Sequence, residues 1–171
     1  MFYLKSGLLI ALSLLVSSVS FSQGAANFSG SWALNESKSN PGESGFRMVS
    51  PTLKIVQDVT SFSLERTFKG QDGEERKMSE KYTLDGKKSI NPVFNTTKKS
   101  TIAWSVDKKS LTVSSVMVVK MNDKNNEIKT VELDKLSDGD KILTIDSQSR
   151  SSTGETKASL VYDKKKVTSL V

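Results

Sequence analysis

The chain has 171 residues, 25 Lys and Arg against 19 Asp and Glu, a net charge of +6, and neither cysteine nor histidine. Lacking both, it has no disulfides, thiol nucleophiles, imidazole bases or ordinary zinc sites, and its core alone must hold the fold. The lysines are spread among carboxylates and only Lys164-Lys165-Lys166 forms a tight run. That pattern argues for a solvated surface, not for a nucleic-acid groove with interleaved aromatics.

The N-terminus reads as an export signal. Lys5 precedes Leu8–Val16, an apolar run of signal-peptide length that is too short to span a bilayer comfortably. Ser20-Phe21-Ser22 sets small residues where a signal peptidase reads, which predicts cleavage before Gln23. Residues 1–22 are thus expected to be removed and 23–171 to form one domain, periplasmic or secreted and not membrane-spanning. Without cysteine, a lipoprotein anchor at the end of the signal is excluded.

Phe28-Ser29-Gly30-Ser31-Trp32-Ala33-Leu34-Asn35 opens the folded part, with a short helical turn expected near Asn35 to Ser39. Pro41, Gly42, Gly45 and Pro51 mark a loop. Period-two alternation follows. Thr52 to Val59 is a strand with Leu53 and Ile55 on one face. Phe62, Leu64, Arg66 and Phe68 share a face of the next, and Met78, Glu80, Tyr82 and Leu84 a face of the one after, across a Gly70–Gly73 hairpin turn. Ser89 to Thr96, interrupted by Pro92, reads as an edge or irregular strand. Ile102, Trp104 and Val106 align on the following strand, and Leu111 to Met121 forms a long one. Glu127 to Leu136, Lys141 to Gln148 and Glu155 to Tyr162 complete the series around polar turns.

Nine or ten hairpin-linked strands and no amphipathic helix of three turns predict an all-β, antiparallel up-and-down β-barrel, because closure removes sheet edges. A two-sheet β-sandwich is the competing architecture. An outer-membrane barrel would need an apolar lipid face, whereas one face of most strands here is Lys, Ser, Thr, Asp and Glu.

Gly30-Ser31-Trp32 resembles the Gly-x-Trp motif of the lipocalin superfamily. With Phe28, Leu34, Asn35, Lys38 and Ser39 it is similar to the start of small secreted bacterial lipocalin-like proteins of unassigned function. The resemblance implies that Trp32 packs across the closed barrel end against an arginine from the last strands, for which Arg150 is the candidate. It also implies a small apolar or amphipathic molecule bound inside the barrel. The second common lipocalin motif, a Thr-Asp-Tyr-like turn, is not evident.

Arg66 and Glu80 lie on otherwise apolar faces. If Leu64 faces Glu80 across the hairpin, Arg66 and Glu80 become diagonal neighbours. Two inward charges are costly unless paired or wet. Such a pair is either an internal ion pair or a polar anchor for a ligand head group. Phe62, Tyr82, Trp104, Met117 and Met121 are candidate lining residues, or simply core. No residue set points to catalysis, a cofactor or a metal: the acidic pairs, as at Asp138 and Asp140, sit in turns. A non-enzymatic carrier of a small molecule is therefore the leading expectation. The alternatives are a solid-cored envelope module that acts on a protein partner, and a barrel enzyme of isomerase or dehydratase type.

Overall fold

A computed structural model describes residues 24–42, 49–70, 72–121 and 124–166, with the side chain of Met121 excepted. The expected signal peptide therefore lies outside the described residues, as does the Met121 side chain. Ten strands follow in chain order: β1 (Gly30–Leu34), β2 (Thr52–Gln57), β3 (Ser61–Lys69), β4 (Glu75–Thr83), β5 (Ser89–Val93), β6 (Thr96–Trp104), β7 (Ser110–Met121), β8 (Lys124–Ser137), β9 (Ile142–Ser151) and β10 (Gly154–Lys164). A single 3-10 turn, Glu36–Lys38, follows β1, where the Asn35 side chain accepts from the Lys38 amide.

Every ladder is antiparallel, and β1 pairs with both β2 and β10, so the sheet runs β4-β3-β2-β1-β10-β9-β8-β7-β6-β5 and curls into a nearly closed up-and-down barrel. The sandwich is not formed. The seam lies between β4 and β5. There the Asn91 side chain takes the place of a ladder peptide: its Oδ1 accepts from Lys81 N–H at 2.8 Å and its Nδ2 donates to Lys81 O at 3.0 Å. The neighbouring Pro92 has no N–H to offer, in keeping with its place on the last strand of the ladder order.

Strand boundaries depart from the alternation in several places: β2 stops at Gln57, leaving Val59 exposed outside it, and two more departures lie around β5 and β6. The irregular stretch Ser89 to Thr96 is a hairpin: β5 ends at Val93, Phe94 turns with φ 50°, and Thr96 already begins β6. Val106 is not on a strand. It stands fully exposed at the tip of the β6–β7 turn, after the chain has left the barrel at Ser105.

The inward faces divide into two halves. Toward one end, Phe28, Trp32, Leu53, Ile55, Phe62, Leu64, Tyr82, Ile102, Leu111, Val113, Leu143, Ile145, Leu160 and Tyr162 form one buried cluster. Burying a large apolar side chain contributes about 1.5–3 kcal/mol, so this half carries most of the driving force for folding. Phe28 meets Phe62 edge-on at 6.2 Å and Trp104 at 6.1 Å. Trp32 is fully buried beneath them and its Nε1–H donates to Phe28 O at 3.1 Å. The tryptophan thus closes the barrel end, as the Gly-x-Trp resemblance implies.

Its cationic partner is a different residue. Arg150 is exposed on the far part of β9 and pairs with Glu155 at 2.7 Å. Lys164 lies directly opposite Trp32 in the β1–β10 register, with its Nζ 5.1 Å from the ring centroid. Arg150 points away because it sits near the β9–β10 turn, at the other end of the barrel from Trp32. Gly30 is needed beside this contact. Its φ is +150°, and a Cβ there would approach Lys164 Cε to 2.8 Å.

A charged cavity in the open half of the barrel

Beyond the apolar half the same inward faces turn polar. The hairpin register is the expected one, with Leu64 opposite Glu80 and Arg66 opposite Met78. Glu80 is the hub. One of its oxygens meets the ammonium of Lys98 from β6, and the other lies 3.6 Å from Arg66 Nε. Arg66 in turn donates through Nη2 to Glu132 of β8 at 3.4 Å. Lys98, Glu80, Arg66 and Glu132 thus form a chain of alternating charge across the interior.

The electrostatics follow from that order. Burial opposes the charge on Arg66, but Glu132 and Glu80 outweigh it and raise its pKa above the usual guanidinium value. Burial likewise opposes charge on Glu80, and Lys98 and Arg66 more than offset this, so its pKa lies below the ordinary carboxylate value. Burial, then Glu80 and Glu132, push the Tyr82 phenol up. Among the described residues no cation forms an ion pair with Asp134, two residues beyond Glu132 on the same face of β8, although Arg66 and Lys98 act on it from farther off. Burial and the Glu132 charge push it up to about 8. Its Oδ1 and the buried Tyr162 hydroxyl have no hydrogen-bond partner.

The charge chain borders a half-open cavity of about 140 Å³. Met78, Val93, Met117, Ile145 and Leu160 supply its apolar wall, and Ser115, Thr130, Ser147, Ser149 and Thr156 a belt of hydroxyls. Thr130 and Ser149 bond to each other at 2.9 Å. The cavity is smaller and more polar than apolar strand faces alone would make it, because Arg66, Lys98 and Glu132 project into it.

Of the seven residues singled out as anchor or lining, the Met121 side chain lies outside the described residues, and the structure separates the other six. Arg66, Glu80 and Met117 are on the cavity wall. Phe62, Tyr82 and Trp104 are not: they lie nearer the closed end, where Phe62 packs on Phe28 and Tyr82, and Trp104 on Phe28. Lys98, Glu132 and Asp134 went unnoticed in the sequence. Lys98 shares parity with Ser100 and Ile102, and Glu132 and Asp134 with Leu136, which packs against the core. Parity with a core residue was the available signal.

Among the described residues no cluster of His, Cys, Asp and Glu is arranged to hold a metal ion, and no helix is long and apolar enough to cross a membrane. No protein-family model matches the chain, and no curated protein sequence does. Among solved structures it is similar to the zebrafish ileal bile acid-binding protein complexed with cholic acid, with a TM-score of 0.54 and 15% identity over 81% of this chain and 98% of that one. At that identity the likeness concerns the fold. The lipocalin-like barrel implied by the opening motif is the architecture observed.

Proposed function

We propose that this protein is an exported, non-enzymatic binder that holds a small amphipathic molecule inside its barrel. One observation carries the reading: the barrel keeps its open half hollow, with charged groups on one wall and methionine and aliphatic side chains on the others. A fold that needed only stability would fill that space, since buried charges cost free energy unless they are used or fully satisfied. A cavity of about 140 Å³ is below the 300–1,000 Å³ usual for drug-sized ligands. The occupant is therefore small, its polar end at the Arg66–Glu132 side and its apolar end on Met78, Val93 and Met117. The similar bile acid-binding barrel lends support as a scaffold that encloses a small molecule. Export rests on Lys5, the Leu8–Val16 run and Ser20-Phe21-Ser22, together with the motif's likeness to secreted bacterial proteins.

Native mass spectrometry of protein purified from its own host tests both parts. The expected result is a chain beginning at Gln23 with a small molecule attached. A ligand-free chain that also takes up nothing from an extract of that host overturns the binding reading. A chain that retains Met1 overturns export.

A further inference from the structure

The charges on the cavity wall cancel. Arg66, Lys98, Glu80 and Glu132 are the charged residues among its described lining, two of each sign, and each is engaged by an opposite partner. Asp134 lies outside that lining, and with its pKa pushed up to about 8 by burial and Glu132 it adds no charge at pH 6.5. A guest carboxylate would meet two cations already held by Glu80 and Glu132. A guest ammonium would meet two carboxylates already held by Arg66 and Lys98. Either must displace a partner or stay unbalanced beside buried groups, which costs free energy. An uncharged head group breaks no pair.

The neutral polar groups are set out for such a guest. Ser100, Ser115, Thr130, Ser149 and Thr156 stand directly across from one another on five neighbouring strands, β6 to β10, and form a single row. Four of them line the cavity, and the fifth, Ser100, is buried with a hydroxyl that has no hydrogen-bond partner. Each hydroxyl can both donate and accept. Neighbouring strands are about 4.8 Å apart, so a guest hydroxyl between two members of the row can donate to one and accept from the other. Several members in line offer more partners than one guest hydroxyl can use. Thr130 also stands two residues from Glu132 on the same face of β8, so the row runs beside the charge chain. Resting on the binding function proposed above, we infer that the cavity selects an uncharged, hydroxylated amphiphile, a short aliphatic chain ending in a diol, whose oxygens lie along Ser115, Thr130 and Ser149 and whose chain lies on Met78, Val93 and Met117. Acids and amines of the same length are turned away.

Titration calorimetry at pH 6.5 with 1,2-pentanediol, 1-pentanol, pentanoate and n-pentylamine, the last in its charged form, tests this. The diol is expected to bind about tenfold or more tighter than either ion, a gap of about 1.4 kcal/mol, and tighter than the mono-alcohol. Thr130→Val combined with Ser149→Ala removes two bonded members of the row together and should erase the advantage of diol over mono-alcohol. Glu132→Gln leaves Arg66 paired with Glu80 but tips the wall to a net positive charge, so pentanoate should gain about tenfold on the diol. Each readout is a ratio of two guests on one folded protein, so a change in stability does not mimic it. If pentanoate or the amine binds as tightly as the diol, or Glu132→Gln leaves their ratio unchanged, the uncharged assignment fails while the binding function stands. A diol advantage that survives the double substitution overturns the row. If none of the four binds, the inference and the binding function both fall.

Discussion

Arg66 reaches across the barrel from β3 to Glu132 on β8, its Nη2 3.4 Å from the carboxylate, although the two strands are not neighbours in the sheet. The same guanidinium holds Glu80 on β4. This tie crosses the cavity, where the backbone ladders run only around its wall. Arg66→Met leaves the buried Glu80 and the half-buried Glu132 with one cation between them. Breaking a buried pair from one side typically costs about 3–5 kcal/mol. We expect a loss of that order in urea unfolding, with most of it recovered in Arg66→Met combined with Glu80→Gln and Glu132→Gln, whose fully neutral set no longer strands a charge. A single mutant as stable as the parent would show that the tie contributes nothing.

Asp134 sets a pH dependence of unusual sign for a carboxyl. Its folded-state value is raised to about 8, against about 3.9 unfolded. Between those limits the folded chain binds a proton that the unfolded chain has released, so stability falls as pH rises from about 4 to about 8. Below that window the opposite trend sets in. Glu80, with its value lowered, loses its contribution as pH drops through the ordinary carboxylate range. Chemical denaturation at pH 5, 6.5 and 8 should show the decline, and Asp134→Asn should flatten it. A profile unchanged by that substitution would place the titration elsewhere.

At the closed end the partner of the indole is decided by comparing two substitutions. Lys164→Met should cost about 0.5–1 kcal/mol, the range for a partly exposed cation over an indole. Arg150→Ala should stay within about 0.5 kcal/mol, as surface changes do. Trp32→Phe keeps the apolar cork but leaves the Phe28 carbonyl without its donor, a loss of about 1–3 kcal/mol. Thermal or urea unfolding of the three variants distinguishes them, and equal losses for Lys164→Met and Arg150→Ala would remove the assignment.

The seam depends on one side chain. Asn91→Ala withdraws both hydrogen bonds to the Lys81 backbone and should lower stability by about 1–3 kcal/mol. The more specific readout is amide exchange. The Lys81 N–H should lose protection while the Val113 N–H, in the middle of the β6–β7–β8 ladders, keeps it. Uniform loss along the sheet would mean that the substitution acts on global stability alone.

The architecture was legible wherever polarity and parity agree. Leu53 and Ile55, Phe62 to Phe68 and Met78 to Tyr82 alternate cleanly, and the hairpin register that pairs Leu64 with Glu80 follows from the Gly70–Gly73 turn. The opening motif located Trp32 correctly. The reading weakens where a strand is inverted. On β8 Glu132 and Asp134 point inward, while Val131 faces out at 48% exposure, so the charged face reads as solvent although Glu132 borders the cavity and Asp134 is buried in the interior. Lys164 escaped for a related reason. A run of three lysines reads as a solvated end, yet the first of them shares parity with Tyr162 and lies over the indole. Functional interiors break the rule that apolar means inside, so alternation recovers the scaffold first and the site last.

The split interior has a further consequence. Apolar burial is concentrated between Trp32 and Leu160, whereas Thr130, Ser147, Ser149 and Thr156 line a space the folded chain already leaves hollow. Replacing one of these hydroxyls with a slightly larger or more apolar side chain removes little packing and opens no new void. Selectivity can therefore drift at that rim while the indole end keeps the molecule folded, which makes the scaffold evolvable: the same ten strands can be refitted to another guest without being rebuilt.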